Sequence, residues 1–409
     1  MRISNFKGSD IPGKKGYQLI AGLVWRITRN SQSGFRRFHL ISILLFLLLT
    51  AYPSFVCSDN SPVLRLLLEE KAPRVVVTGS SLMVEKLGKA DWEPVLDRVR
   101  MAGFSPLQGG VELDGSDAGV SVYRIRSGSG MLRYAGRPQR GYLTIWPNGA
   151  RLMVVSHMPL ESYLAGVVNG EIDSSWPLEA LKAQVVAARS YALYQLNTGS
   201  LYYDLKADIN DQVYAGVDSE DERAVEAVAL TRGQVLYRNG ALFQAFFHSS
   251  CGGNTTSAMD VWGVPQPAQE GVYCGECDEA PFARWNLTLE PEHIVRTVRV
   301  LYPHVDRVRR LGIHRRSRDG RVQTLFVETG RGRILIDAGE FRKAMGYSRL
   351  PSTRFSLGIS GEKIVLTGEG YGHGVGLCQW GARGSALRGM DYRQILRKYF
   401  PGTEIKKIY

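Results

Sequence analysis

The segment 158–197, MPLESYLAGVVNGEIDSSWPLEALKAQVVAARSYALYQLN, decides the fold class because its apolar residues recur with the period of two α-helices. In the first helix, four aliphatic residues and one acid fall on a single face: Leu160, Leu164, Val167, Val168 and Glu171. A carboxyl group at the end of an apolar stripe is either a solvated helix-end charge or a group in an apolar environment, where burial raises its pKa. The pattern leaves both interpretations of Glu171 open.

A second helix is predicted from Pro177, which suits a first helical turn, and from Glu179 two residues later. Its predicted buried face consists of aliphatic and small residues: Leu178, Leu181, Val185, Ala188 and Ala192. Arg189 lies beside this face. We take Arg189 as a candidate substrate contact.

Upstream of the helices, residues 59–150 are predicted to form a β-rich N-terminal domain. Short apolar runs such as APRVVVTG (72–79) and SVYRIRSG (121–128) are separated by Gly, Ser and Pro, as strands and turns are. One segment, ADWEPVLDRVRMAG (90–103), is predicted to be a helix. No cluster of titratable residues stands out, so we expect this domain to pack against or position the rest of the chain.

The N-terminal segment 1–58 has the pattern of a signal peptide or a membrane anchor. It carries eight basic residues and one acidic residue, and Arg36-Arg37 precede an apolar core at 40–49. That core is short for a spanning helix and better sized for a signal peptide. We therefore expect the body of the protein to be exported to the periplasm or cell envelope, either secreted or anchored by this segment.

The net charge of +12 is concentrated in that leader, because residues 59–409 carry 43 basic and 38 acidic residues. A mildly basic body is compatible with an anionic envelope polymer as a partner. It does not indicate nucleic-acid binding, since no run of Lys and Arg is interleaved with aromatic residues. The length of 409 residues, 44% of them hydrophobic, suits a globular protein of two or three domains.

Downstream of the helices, DINDQVYAG (208–216) is predicted to be a polar loop. It presents Gln212 and Tyr214, which we take as candidate substrate contacts. Ser219 and Glu222 have the spacing of a capping box, which predicts that a short helix follows them.

The next segment, GQVLYRNGALFQAFFHSS (233–250), is predicted to be a β-hairpin. Asn239-Gly240 is the preferred pair for a type I′ turn, and it lies between two apolar runs. His248 is expected at the end of the second strand.

The strongest metal-binding pattern is H-x2-C followed by C-x2-C, formed by His248, Cys251, Cys274 and Cys277. Two close pairs of soft ligands are typical of a closed tetrahedral zinc site with a structural role. The alternative is a disulfide, which export to an oxidising compartment favours, although it would leave His248 unexplained. Cys378 remains, and we expect it to be a small buried apolar side chain.

The segment EGYGHGVGLCQWGARG (369–384) contains six glycines. Glycine destabilises a folded chain unless the backbone must turn sharply or another group must come close. The glycines therefore predict either tight turns between strands or the floor of a cleft. In a cleft, His373, Gln379 and Trp380 would face a ligand.

Several of these segments together resemble the sporulation stage II protein D (SpoIID) family, which includes the amidase-enhancer (LytB) proteins. The resemblance covers about residues 140–409 and rests on SYLAGVVNGEIDSSWPLEALKAQVVAARSYAL, DQVYAG, HSSCGGNT and GYGHGVGLCQWGARGSALRGMDYRQILRKYFPGTEI. It implies a lytic transglycosylase that acts on peptidoglycan glycan strands stripped of stem peptides, with Glu171 as the catalytic acid. Ile172-Asp173 follow Glu171 where the family usually has Met-Pro, and we expect the acid to be undisturbed. The family also implies, for some members, zinc held by His and Cys near HSSCGG.

One carboxyl group is enough for the implied reaction. A hydrolase needs a second carboxylate, which activates water or forms a covalent bond to the sugar. A lytic transglycosylase uses the C6 hydroxyl of MurNAc as nucleophile, so one Glu can protonate the leaving oxygen and then accept the hydroxyl proton. The product is a 1,6-anhydro-MurNAc end. The alternative is a non-catalytic, glycan-binding activator of a cell-wall amidase, because the enhancer branch of the family need not be catalytic.

The predicted architecture is α+β, with a β-rich domain at 59–150 and a mixed α/β catalytic domain at 151–409 that holds a glycan-binding cleft. The predicted site comprises Glu171 as acid, Arg189, Gln212, Tyr214, His373, Gln379 and Trp380 as substrate contacts, and His248, Cys251, Cys274 and Cys277 as zinc ligands. No organic cofactor is implied. The expected partners are peptidoglycan glycan strands and a cell-wall amidase, with membrane contact only through the N-terminal segment.

Overall fold

The computed structural model describes residues 60–114, 121–196, 200–207, 212, 214, 216–265 and 270–409. The predicted signal peptide or anchor at 1–58 therefore lies outside the described residues. Within the described part of the chain, no helix is long and apolar enough to cross a membrane. Residues 60–409 form one compact unit. This unit mixes helices and strands, which confirms the predicted α+β class.

The strands are β1 Val63–Ala72, β2 Val75–Leu87, β3 Trp92–Leu107, β4 Gly110–Leu113, β5 Tyr123–Tyr134, β6 Arg137–Asn148, β7 Arg151–Pro159, β8 Leu205–Lys206, β9 Gln234–Arg238, β10 Ala241–Leu242, β11 Phe247–His248, β12 Trp285–Leu289, β13 Val308–Arg316, β14 Val322–Thr329, β15 Gly332–Asp337, β16 Phe355–Ser360, β17 Lys363–Gly368, β18 Leu377–Cys378 and β19 Glu404–Lys407. The helices are α1 Leu160–Glu171, α2 Leu178–Leu196, α3 Glu222–Leu230, α4 Ala258–Trp262, α5 Pro291–Leu301, α6 Ala338–Met345, α7 Gln379–Leu387 and α8 Tyr392–Tyr399.

The N-terminal strands form an eight-stranded sheet in the order β4-β3-β2-β5-β6-β7-β1-β8. Its strands pair antiparallel except for β1 and β8, which are parallel. Fully buried residues such as Val77, Ile125 and Leu143 form its core. The β-rich character predicted for this region is present. The predicted domain boundary after residue 150 stays a prediction, and β7 and β8 extend the sheet beyond it.

The helix predicted at 90–103 is wrong, because most of this segment lies in β3. β3 pairs with β2, for example through Ala102 and Val77. The pairing shifts register three times, and Arg98 has a positive φ of 55°. These irregularities break the two-residue alternation that identifies a strand. The first half of β3 is also largely exposed, so it carries no apolar face that the sequence could reveal.

Helices α1 and α2 form the predicted helical pair. The four aliphatic residues of the predicted α1 stripe are fully buried, and Glu171 is the last residue of the helix. α2 buries more than its predicted face, since Ala183, Val186 and Ala187 contact a second core that contains the C-terminal helices. α2 therefore lies between two cores and fixes the position of both.

The capping box predicted from Ser219 and Glu222 is wrong. The residue that caps α3 is Asp221, whose carboxylate accepts the backbone N–H of Arg223 at 2.9 Å. The Ser219 hydroxyl instead donates to the carbonyl of Gly216 at 2.6 Å. An Asp directly before the first helical residue reaches the unpaired amides of the first turn without an intervening residue.

The type I′ turn at Asn239-Gly240 is confirmed by positive φ angles of 52° and 78°. β9 and β10 pair antiparallel across this turn, and β9 also pairs with β19. The second strand is shorter than predicted and ends at Leu242. His248 lies instead in β11, which runs parallel to β18.

Residues 285–368 form a module with its own core, which the sequence analysis does not separate. Its first and last strands are antiparallel neighbours, and Trp285 pairs with Gly368 where they begin and end. The sheet β13-β14-β15 shares this core with α5 and α6. Because its two ends meet, we call residues 285–368 the inserted module.

After the inserted module, β18 returns the chain to the helical region. Phe247 of β11 pairs with Leu377 of β18, and His248 pairs with Cys378. α7 begins at the next residue, Gln379, and packs against α2. This pairing positions the glycine-rich segment and α7 beside the end of α1.

Candidate functional site

Glu171 and Gln379 meet where the C-terminal end of α1 faces the N-terminal end of α7. The side-chain amide of Gln379 donates from Nε2 to Glu171 Oε2 at 3.3 Å. Gln379 is buried, and Glu171 is half-buried. The backbone holds Gln379 in place, because the N–H of Trp380 donates to the Ser249 carbonyl at 3.0 Å. The structure thus brings together an acid and an amide that are 208 residues apart in the chain.

Two tryptophans lie close to these residues in the chain, Trp176 five residues after Glu171 and Trp380 directly after Gln379. Trp176 and Trp380 lie edge to face, with ring centroids 5.0 Å apart. The guanidinium of Arg383 lies 5.2 Å from the Trp380 ring centroid. Both tryptophans are half-buried. Sequence reasoning missed Trp176, although it follows Glu171 by five residues, because a single Trp in a connecting loop carries no periodic signal.

The glycine-rich segment before α7 has a backbone conformation that other residues rarely adopt. Four of its glycines have positive φ: Gly370, Gly372, Gly374 and Gly376. At Gly374 a Cβ atom would also overlap the buried guanidinium of Arg321. These glycines are therefore needed for their backbone conformation and for close packing against neighbouring segments, and Gln379 and Trp380 follow them on α7.

The ligand-binding role predicted for His373 is contradicted by its contacts. Nδ1 accepts the backbone N–H of Val375 at 3.1 Å, so Nε2 carries the proton and donates to the Phe247 carbonyl at 2.8 Å. Burial lowers the pKa of His373 to about 3, which keeps the ring neutral. With both nitrogens engaged by the backbone, His373 fastens the glycine-rich segment to β11.

The prediction that Arg189 contacts the substrate is wrong, because its side chain is fully buried. Its Nε and Nη2 donate to the two carboxylate oxygens of Glu161 at 2.9 and 2.7 Å. A further hydrogen bond runs from Nη1 to the Gln234 carbonyl at 3.1 Å. Arg189 therefore ties α2 to α1 and to the start of β9.

Gln212 and Tyr214 are also buried rather than presented to a ligand. Gln212 Oε1 accepts the hydroxyl of Tyr163 at 2.9 Å, and its Nε2 donates to the Ala188 carbonyl at 3.2 Å. Tyr214 stacks on Tyr163 with ring centroids 5.5 Å apart. Through these contacts Gln212 packs against α1 and α2, and Tyr214 packs against α1.

Four cysteine thiols of the described chain lie within 4.8 Å of one another: Cys251, Cys274, Cys277 and Cys378. All four are buried, and none of them forms a disulfide. The Sγ atoms of Cys251 and Cys277 are 3.6 Å apart. Two sulfurs of a disulfide would be about 2 Å apart, and two thiolates on a tetrahedral zinc ion with Zn–S bonds of about 2.3 Å are about 3.8 Å apart. The donor set therefore fits a tetrahedral metal ion such as zinc.

Cys378 completes this group, where the sequence predicts His248. His248 is not a member of the group. Its Nδ1 donates to the Val375 carbonyl at 3.1 Å, and among the described residues its Nε2 has no hydrogen-bond partner. The prediction failed because β11 and β18 are adjacent only in space, so local spacing could not show that Cys378 lies beside His248.

The cysteine cluster is connected directly to the Glu171 contact. Cys378 caps α7, since its Sγ accepts the backbone N–H of Gly381 at 3.3 Å. Hydrogen bonds from Cys251 and Cys274 lower the pKa of the Cys277 thiol well below its usual range. A thiolate is the form of cysteine that binds metals. One peptide bond separates Cys378 from Gln379, so the geometry of the cluster sets the position of the amide that contacts Glu171.

Two family models match the chain. The model described as "Stage II sporulation protein" matches residues 148–237, which include α1, α2, α3 and β9. The model described as "Domain of unknown function (DUF8618)" matches residues 274–376, which include the inserted module and two of the clustered cysteines. The second match begins and ends close to the bounds of the module seen in the structure.

Three of the curated proteins that are similar to the chain each cover 59–65% of its length. An uncharacterized protein of Brachyspira hyodysenteriae is 33% identical over 267 residues, which cover 65% of this chain and 71% of the relative. A Bacillus subtilis protein named Amidase enhancer is 30% identical over 290 residues, covering 59% of this chain and 40% of the relative. Stage II sporulation protein D of Bacillus subtilis is 27% identical over 269 residues, covering 62% of this chain and 76% of the relative.

Proposed function

The chain belongs to the stage II sporulation protein D family, and from this we propose that it acts on the cell wall as a peptidoglycan lytic transglycosylase. It cleaves MurNAc–GlcNAc bonds of denuded glycan strands and leaves 1,6-anhydro-MurNAc ends. One observation carries the proposal: Glu171, the residue that matches the family acid, receives the amide of Gln379 beside two tryptophans.

Glu171 has the surroundings that a general acid needs. It ends a helix whose inner face is fully buried, and it contacts the buried Gln379 amide. An amide that is fixed by the fold holds the carboxyl group in one orientation, as proton transfer to a bound substrate requires. The next acidic residue in the chain, Asp173, is exposed, and its carboxylate accepts the N–H of Ser175 at 2.8 Å. This supports a mechanism in which one carboxyl group serves both steps.

In the proposed reaction, the Glu171 proton passes to the glycosidic oxygen as the bond to C1 of MurNAc breaks. The C6 hydroxyl of the same MurNAc then attacks C1, and the Glu171 carboxylate takes the hydroxyl proton. The acid is thereby regenerated, and no water is consumed. Trp176 and Trp380 supply apolar faces on which a pyranose ring can stack.

The test is digestion of denuded glycan strands with purified protein, followed by mass analysis of the ends. Glu171→Gln keeps the side-chain shape and removes the proton, so turnover should fall by about a hundredfold or more while glycan binding remains. Glu226→Gln, on the exposed face of α3, is the matched control and should leave turnover unchanged. Reducing ends would indicate hydrolysis, and an unchanged rate in Glu171→Gln would remove Glu171 from the mechanism.

The alternative function is activation of a cell-wall amidase without glycan cleavage. The 30% identical relative named Amidase enhancer favours it. The same assay separates the two, because an activator would leave glycan strands intact and still speed a partner amidase. Glu171→Gln would then have no effect on the amidase rate.

We include a structural zinc ion in the proposal, held by Cys251, Cys274, Cys277 and Cys378. With four thiolates a zinc ion has no open position, so its contribution is to hold the strands and helices that carry these residues. Export is also part of the proposal, since peptidoglycan lies outside the cytoplasm. A reporter that is active only outside the cytoplasm, fused after residue 60, checks it and should be active.

A further inference from the structure

The inserted module carries a positive charge that the rest of the body lacks. Residues 285–368 contain 16 basic and 8 acidic residues, whereas the remainder of 59–409 contains 27 basic and 30 acidic residues. Fourteen of the 16 basic residues are arginine. The small positive charge of the body therefore comes from this module.

Much of this charge is exposed and has no counter-charge in the described chain. Ten exposed arginines of the module take part in no ion pair with another described residue: Arg296, Arg299, Arg307, Arg309, Arg310, Arg315, Arg316, Arg318, Arg331 and Arg349. Like charges held this close repel one another, and screening by salt reduces the repulsion only in part. A bound anion that bridges several of them would relieve it.

Two of these arginines lie on the uncovered face of the β13-β14-β15 sheet. The other face of the sheet packs on α5 and α6. The strand register places Arg310 and Arg315 on the same face as Phe326. The guanidinium groups of Arg310 and Arg333 lie 5.3 and 4.7 Å from the Phe326 ring centroid. This contact places two cations side by side on an open surface, where Arg333 also pairs with the Glu328 carboxylate at 2.7 Å and Arg310 has no ion pair with a described residue.

The basic surface continues into a cavity at one end of the sheet. The cavity has a volume of about 340 Å³, and Arg307, Arg331 and Arg333 contribute to its lining. Asp306 is the one acidic residue among the described residues that line it. Arginines from β13, from the β14–β15 turn and from β15 therefore face a continuous region.

We propose that this face of the inserted module binds an extended polyanion, a polymer with closely spaced phosphate or carboxylate groups. The planar guanidinium of arginine pairs with both kinds of group through two parallel hydrogen bonds, which a lysine ammonium cannot do. β13 alone spans about 30 Å, a length that suits a linear polymer better than a single small anion. The module would thereby hold the protein on an anionic polymer independently of the Glu171 site.

The experiment measures binding of the full chain to fluorescent polyphosphate and, separately, to fluorescent poly-glutamate at low ionic strength. The variant Arg310→Gln/Arg315→Gln/Arg331→Gln removes three charges from the proposed surface, two from the sheet face and one from the cavity lining. Arg74→Gln/Arg100→Gln/Arg151→Gln removes three exposed charges elsewhere and is the matched control. We expect the first variant to raise Kd at least tenfold for the bound polymer and the control to change it less than about twofold, with affinity falling as salt rises.

Binding to either polymer with this difference supports the proposal, and the preferred polymer identifies the anionic group. Equal weakening in both triple variants would mean that only net charge matters, and would overturn it. Failure to bind either polymer, or stronger binding to phosphatidylglycerol vesicles than to both, would also overturn it. Thermal unfolding of both variants verifies that they are folded. The assay involves no glycan cleavage, so its outcome is separate from that of Glu171→Gln.

Discussion

At the scale of the residue, Arg189 and Glu161 form the most completely buried ion pair on the α1–α2 interface. Arg189→Met leaves the Glu161 carboxylate buried without its cation, so we expect the free energy of unfolding to fall by about 3–5 kcal/mol. Urea unfolding measures this. Arg100→Met, at an exposed position on β3, is the control and should change it by less than about 0.5 kcal/mol.

A second variant distinguishes a buried pair from a substrate contact. Arg189→Met/Glu161→Leu removes both charges and should recover much of the lost stability, because neither group is left unpaired. The Tyr409 hydroxyl, which donates to Glu161 at 2.6 Å, loses its partner, so recovery should be incomplete. Normal stability together with lost glycan binding in Arg189→Met would restore the substrate role.

The type of a residue alone does not distinguish a polar side chain in a functional site from one that is hydrogen-bonded inside the fold. Glu171 could be found because it continues an apolar helix stripe, and because its neighbours match a family motif. Arg189, Gln212 and His373 are equally polar, yet each satisfies its hydrogen-bonding groups inside the fold. Their partners come from other helices and strands, so only the tertiary structure shows that these side chains are engaged.

At the scale of the element, α7 depends on the cysteine cluster for its first turn. We expect the purified protein to contain about one equivalent of zinc, and Cys378→Ser to lose most of it and to unfold at a lower temperature. His248→Gln, next to the cluster but outside it, should retain the metal. Metal analysis and thermal unfolding measure both effects. Chelation should also lower glycan turnover, because Gln379 follows Cys378 on α7.

Two results would contradict the proposed metal site. One is a metal-free protein with a mapped disulfide among these cysteines. The other is full zinc content in Cys378→Ser together with loss in His248→Gln, which would restore the ligand set predicted from local spacing.

Elements with a regular period were predictable, and irregular ones were not. α1 and α2 follow a clear helical period, and the Asn239-Gly240 turn has a specific preference for positive φ. β3 was not predictable, since bulges disturb its alternation and half of it is exposed. β11 and β18 have two residues each, too few for any pattern, although their pairing assembles the site.

At the scale of the whole molecule, three buried or half-buried histidines are held neutral in the folded state. Burial lowers the pKa of His157 to about 4 and that of His373 to about 3, and it lowers the pKa of His248 well below its usual range. In the unfolded chain they titrate near 6.5. The unfolded state therefore binds more protons below that pH. Their contribution to stability is present above pH 6.5 and is lost as the pH falls towards 4.

A variant of His157, which is not part of the cysteine cluster, tests this dependence of stability on pH. Its Nε2 lies 2.9 Å from the Thr144 hydroxyl, and its ring stacks on Tyr142. His157→Gln should reduce the slope of unfolding free energy against pH by up to about 1.4 kcal/mol per pH unit between pH 4 and 6. Urea unfolding across this range measures the slope. An identical slope in the variant would mean that His157 is protonated in the folded state.

The inserted module is the largest feature that the sequence did not reveal. Its strands have ordinary lengths and turns, and its excess of arginine does not mark the residue at which it begins. The motifs on either side, the paired cysteines before it and the glycine-rich segment after it, resemble one continuous family domain. The pairing of Trp285 with Gly368 shows that the chain leaves that domain and returns to it, and the separate family model matched at 274–376 agrees with these bounds.

The pairing of β11 with β18 also determines when the site can form. Phe247 cannot pair until Leu377 has been synthesised. Glu171 cannot contact Gln379 until the chain is 208 residues longer. During synthesis, a chain that does not yet include residue 379 therefore has Glu171 without the amide that contacts it. A protease cut that released the segment after the inserted module would likewise remove this contact. The contact between Glu171 and Gln379 therefore forms only when both segments are present in one intact chain.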